Sequence, residues 1–164
     1  MPRRRAAASA HADGAHAGLY ADTARRRGAC ASQKRGASAL RALTYGYTPL
    51  KARAGAAGAG EVLVQAMKRF QEDALVMQPA CAALGSLVMD PSNQARCGRA
   101  DAMAVVVEVL KMHVEKEGSN SQAVCAEALV ALWNLSCDKG NQFRAIEAPA
   151  RPPARLPKRT KLSA

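Results

Sequence analysis

An all-α fold, assembled from helical repeats stacked one on the next, is what this 164-residue sequence predicts. Three observations carry the prediction. A block of residues is written twice, as ACAALGSLVMDPSNQ at 80–94 and ALVALWNLSCDKGNQ at 128–142, an offset of 48. A second block, AGAGEVLVQAMKRF at 57–70, returns as ADAMAVVVEVLKMH at 100–113, an offset of 43. Within both blocks the apolar residues recur at helical spacing. A period of roughly 45 residues marks a helical array whose units bury their apolar faces against one another.

The first pair of blocks aligns Ala80 with Ala128, Ala83 with Ala131, Leu84 with Leu132 and Leu87 with Leu135. Asp90, Asn93 and Gln94 fall on Asp138, Asn141 and Gln142. In the second pair, Ala59, Val62, Leu63, Ala66, Met67 and Phe70 match Ala102, Val105, Val106, Val109, Leu110 and His113. That spacing (i, i+3, i+4, i+7, i+8, i+11) is one face of an amphipathic helix. Glu61, Lys68, Glu108 and Lys111 lie off it.

The +11 net charge suggests nucleic acid until it is located. Residues 1–60 carry +9, residues 61–142 carry −3 and residues 143–164 carry +5. The basicity therefore belongs to the flanks, and the repetitive part is mildly acidic. Five cysteines with no CxxC spacing read as small core thiols in a reducing compartment. No apolar run approaches the ~20 residues of a membrane span, so no membrane partner is expected.

Residues 1–30 are rich in Ala, Arg and Gly and offer little to bury, so a disordered tail is expected there. An Arg-rich, acid-poor start also fits an organelle transit peptide, which we rank below a solvated tail. At an offset of 44, Gly36, Ala39, Leu40 and Leu43 meet Ala80, Ala83, Leu84 and Leu87, the trace of an eroded earlier copy. Residues Tyr45–Pro49 read as a turn. A helix follows over 57–70, and Asp73 or a neighbour caps the next, which runs to about Met89. Pro79 sits about one turn in, with a kink near Gln78 as the alternative. Asp90-Pro91 ends that helix. Ser92 or Asn93 caps a short helix to Arg99, and a long one runs from Asp101 to about Val114. Asn120 or Ser121 caps a helix to Cys137, and Asn141 opens a short one to Ala148. Four prolines between 149 and 157 then stop the pattern, leaving a disordered basic tail over 149–164.

Each unit is thus a short helix, a second helix and a long third one. With Asn93-Gln94 through Ala100, and Gln122 through Ala131-Leu132-Trp133-Asn134-Leu135, this resembles the armadillo repeat family. The resemblance covers residues 31–148: a degraded piece at 31–56, units at 57–90 and 91–138, and a partial unit at 139–148. Asp101 stands where the family favours Gly, though Gly58 keeps it. Asp tolerates a left-handed turn better than most residues.

What the resemblance implies is a right-handed superhelix whose third helices line a concave groove for an extended peptide or protein surface. Gln78, Ala82, Ser86, Ala126, Val130 and Asn134 would face that groove, with Ser38 and Ala42 as counterparts in the eroded copy. The Asn position suits a clamp on a peptide backbone, because an amide donates and accepts at once. The importin-α type pairs it with a Trp one turn earlier. Here Val130 and Ala82 stand there and Trp133 is out of phase, so that type is not expected. Trp133 reads first as packing between repeats and second as an anchor at the groove edge.

The function expected is a non-catalytic scaffold in the cytoplasm, the nucleus or both. No catalytic, cofactor or metal-ligating set is visible. His11, His16 and His113 lie apart, and His113 aligns with Phe70, as a core histidine would. The glycines of residues 54–60 lack the Lys-Ser/Thr of a phosphate loop. A second reading is weak, salt-dependent nucleic-acid contact through Arg3–Arg5, Arg25–Arg27 and Lys158–Lys161. A third is a fragment of a longer array, with an uncovered apolar end around Leu135, Phe143 and Ile146 that invites self-association.

Overall fold

Eight helices follow one another through residues 28–147, the part of the chain that the computed structural model describes. They are α1 (28–44), α2 (Thr48–Ala56), α3 (Ala59–Arg69), α4 (Ala74–Leu87), α5 (Pro91–Arg99), α6 (Ala102–Val114), α7 (Ser119–Ser136) and α8 (Lys139–Glu147). No strand occurs among the described residues. The tail expected over 1–30 already yields to helix at Gly28. The remaining expectations for residues 1–27 and 148–164 lie outside the described residues.

Local chemistry explains most of the boundaries. Asp73 caps α4, its Oδ1 accepting from the Leu75 amide at 2.9 Å. Asp90, rather than Ser92 or Asn93, caps α5: its Oδ1 accepts from the Asn93 amide at 3.1 Å, and Pro91 takes the first helical position. Asp138 does the same for Asn141 at 2.8 Å, so α8 begins at Lys139 and Asn141 lies inside it. Two sites start a helix from a left-handed residue, Gly58 at φ +85° and Asp101 at φ +65°. No side chain caps α7. It starts at Ser119, and Gly118 (φ +125°) turns the chain in place of Asn120 or Ser121. α4 runs unbroken through Pro79.

Like packs on like. α4 lies against α7, α2 against α5, α5 against α8 and α3 against α6, while α6 and α7 close the second helix triplet. α4 is the centre: ten of its fourteen residues are buried, Met77, Cys81, Leu84 and Leu87 completely. Val64, Met67, Val106, Val109, Val124 and Leu135 complete the core.

Burial fixes the register of the eroded copy, and it differs from the alignment by one residue. Ala37, Leu40 and Thr44 of α1 stand where α4 has Ala80, Ala83 and Leu87, and where α7 has Ala128, Ala131 and Leu135. The offset is therefore 43, as for the second helices. At the offset of 44, Leu43 would be core, yet it is exposed, as are Gly36 and Ala39. Thr44 can occupy a leucine site because its hydroxyl bonds the Leu40 carbonyl at 2.9 Å. Val62 departs from the expected ladder too: it is exposed, whereas its counterpart Val105 is buried.

Candidate partner-binding groove

α1, α4 and α7 are the helices on which the sequence expects a groove. Between α1 and α4 lies a cleft of about 560 Å³. Lys34, Ser38 and Arg41 of α1, at i, i+4 and i+7, form one wall with Tyr45 just past the end of the helix. Gln78, Pro79 and Ala82 of α4 form the other, and Ala42 completes the lining with Glu127 from α7. The Arg41 guanidinium pairs with the Glu127 carboxylate at 3.6 Å, joining α1 to α7 over α4.

The six residues expected in the groove divide into three kinds. Gln78 is exposed on the cleft wall, and Ala82 is buried in its floor. Ser86 is buried, with its hydroxyl 3.1 Å from the Thr44 hydroxyl, so it ties α4 to α1. Asn134 is half-buried and its Nδ2 donates to the Gly85 carbonyl at 3.0 Å. One amide hydrogen of the expected clamp is thus spent on α4. Ala126 and Val130 are exposed and lie outside the residues that line the cleft. With the corrected register, the counterparts of Asn134 and Val130 in α1 are Leu43 and Ala39 rather than Ala42 and Ser38.

Lys34, Arg41, Tyr45 and Glu127 are the wall residues that sequence reasoning passed over. The signal was present: Lys34, Ser38 and Arg41 share one helical face, with Tyr45 just past its end. An alignment of α1 on its apolar residues alone does not reveal them, and Glu127 joins them only through the packing of α7.

Trp133 is 74 % exposed, so the expected packing between repeats is not made. Leu135, expected at an uncovered end, is fully buried, while Phe143 is exposed as anticipated. The side chain of Ile146 lies outside the described residues.

The titratable groups away from the cleft serve the fold. His113 is buried, with Nε2 at 2.8 Å from the Gln71 carbonyl. A carbonyl only accepts, so Nε2 carries the hydrogen. Burial pushes the Cys81 thiol up to about 12, helped by the nearby Glu127 charge, and pushes Cys97 up to about 11, with Glu61 adding to it. Both thiols hold their protons at neutral pH, the opposite of an activated nucleophile. Among the described residues no three His, Cys, Asp or Glu side chains gather as metal ligands would, and no helix is long and apolar enough to cross a membrane. In comparisons with known proteins, no family model, no curated protein and no solved structure matches this chain.

Proposed function

We propose that the chain is a short armadillo-type repeat protein, a non-catalytic scaffold that takes a partner peptide along its third helices. The observation that carries this reading is the open cleft between α1 and α4, walled by Lys34, Arg41 and Gln78 over small residues. Supporting it are the order of short, second and third helices in two successive triplets, and the packing of each helix on its counterpart. Small floor residues (Ala42 and Ala82) let a peptide backbone approach. Gln78 offers an amide that donates and accepts, and with Lys34 and Arg41 set against Glu127 the lining keeps one net positive charge, which favours an acidic side chain on the peptide.

Fluorescent decapeptides that differ only in a central Glu or Lys test this, titrated against the full chain with polarisation as the readout. The Glu series should bind more tightly, with the preference reversed by Lys34→Glu/Arg41→Glu. Equal binding of both series, unchanged by that double variant, would remove the cleft from consideration.

A further inference from the structure

The charge of the cleft changes sign from one side to the other. Lys34 and Arg41 stand on α1 and Glu127 on α7, while Gln78, Pro79 and Ala82 of α4 between them are uncharged. Arg41 and Glu127 meet at 3.6 Å across α4. Both side chains are long, and the small Ala82 beneath them leaves room for the crossing. Glu127 comes close enough to α4 that its charge helps to raise the Cys81 thiol of that helix. Arg41 is 49 % exposed and Glu127 27 %, so each can turn to a partner from outside.

The pair lies in the path of any peptide laid along the third helices. A peptide that brings only a carboxylate to Lys34 and Arg41 must draw Arg41 from Glu127 and leave Glu127 unpaired. A peptide that also brings a cation to Glu127 exchanges one internal pair for two. The sign of Glu127 therefore decides what a second charge on the peptide contributes.

Geometry sets how far apart those two charges lie. Packed helix axes are ~8–10 Å apart, so α1 and α7, with α4 between them, are separated by roughly 16–20 Å. An extended chain advances ~3.3 Å per residue and returns to the same face at every second residue. Six residues would span the full distance, and about four span it once Arg41 and Glu127 reach inward. Either order of the two charges fits, because an extended chain can run in both directions.

We infer that the cleft selects an extended peptide with two opposite charges, an acidic residue on Lys34 and Arg41 and a basic residue about four positions away on Glu127. This rests on the reading of the cleft as a peptide groove and makes Glu127 its specificity-determining residue.

Four fluorescent decapeptides test it, titrated against the full chain with polarisation as the readout. They carry Glu alone, Lys alone, Glu with Lys four residues away, and Glu with Lys five residues away, in an otherwise uncharged sequence. The Glu peptide with Lys at four should bind about two- to fivefold more tightly than Glu alone, the scale of a solvent-facing ion pair. Lys at five points away and should gain nothing, and Lys alone should bind worst. Glu127→Gln should tighten binding of the Glu-only peptide, since Arg41 is released, and erase the advantage of the second charge. Glu127→Lys should invert it, favouring a second Glu at the same place, a gain of binding that a misfolded variant cannot produce. A second charge that brings no advantage, or one whose advantage survives Glu127→Gln or ignores its position, overturns the inference. The groove reading then still stands if binding falls with Lys34→Glu/Arg41→Glu. Binding of none of the peptides, or binding indifferent to that double variant, overturns both.

Discussion

The side-chain amide of Asn93 reaches from α5 to the main-chain carbonyl of Lys51 in α2, one unit upstream, at 2.8 Å. The same nitrogen donates to the Leu87 carbonyl at the end of α4, at 3.0 Å. Asn141 repeats the pattern on Gln94 at 3.0 Å and on Leu135 at 2.9 Å. Each asparagine thus satisfies a terminal carbonyl of the preceding third helix and clips one short helix to the one before it.

Removing that clip takes a side-chain donor from two buried carbonyls, of which that of Leu87 keeps the Asp90 amide at 3.4 Å. Asn93→Ala should cost about 1–3 kcal/mol, the scale of losing buried hydrogen bonds. Asn141→Ala should cost less, because its Gln94 contact is only partly buried. Urea unfolding followed by circular dichroism measures both.

Each clip also demands a glycine. A Cβ at Gly55 would overlap the Asn93 amide, and a Cβ at Gly98 would overlap that of Asn141. The constraint is the close approach of the side chain, since neither glycine has positive φ. Gly55→Ala should destabilise by about 1–3 kcal/mol as an overpacked site does. Much less should be lost when Asn93→Ala is already present, because the two share one contact. A double-mutant cycle with additive losses would contradict this pairing.

Leu84 and Leu132 hold equivalent places in the repeat but not in the structure. Leu84 is fully buried, whereas Leu132 is partly exposed on a helix with no further third helix beyond it among the described residues. Leu84→Ala should cost about 3–5 kcal/mol and Leu132→Ala about 1–2 kcal/mol. Thermal melts of the two variants should therefore separate clearly.

The buried thiols give the fold an alkaline limit. Cys81 titrates near about 12 and Cys97 near about 11 in the folded chain, against 9.0 for an unburied thiol. Below pH 9 both states keep the protons, and the thiols add no pH dependence. Above it the unfolded chain releases them first, so stability falls as pH rises from 9 toward 11–12. Cys81→Ala/Cys97→Ala should flatten that fall. At pH 8 a thiol reagent should label exposed Cys137 quickly and reach Cys81 and Cys97 only on unfolding.

The Arg41–Glu127 pair should matter little for stability. Arg41 is 49 % exposed and Glu127 27 %, and such surface pairs contribute ~0–1 kcal/mol. Arg41→Ala should shift the urea midpoint marginally, which leaves it clean for binding measurements.

The sequence by itself determined most of the helices and their order; α2 (Thr48–Ala56) is the exception, because Gly46 and Pro49 mark its start as a turn. The i, i+3, i+4 ladders, the Asp73 cap, the Asp90-Pro91 stop and the left-handed starts at Gly58 and Asp101 are local, and residues a few positions apart encode them. It also contained one cleft wall, Lys34, Ser38 and Arg41 on a face of α1 with Tyr45 next to its end. What only the tertiary structure decided is which of several apolar faces is covered. Leu43 and Thr44 compete for one core site in α1, and burial against α4 gives it to Thr44. Leu135 and Trp133 both belong to α7, and the side on which α4 and α6 lie buries the first and leaves the second open. Asn93 and Asn141 look like helix caps locally, yet they act across units, because the carbonyls they satisfy come from a helix some forty residues away. Spacing along a chain sets which residues share a face. Burial depends on what lies beside that face, and that is a long-range property.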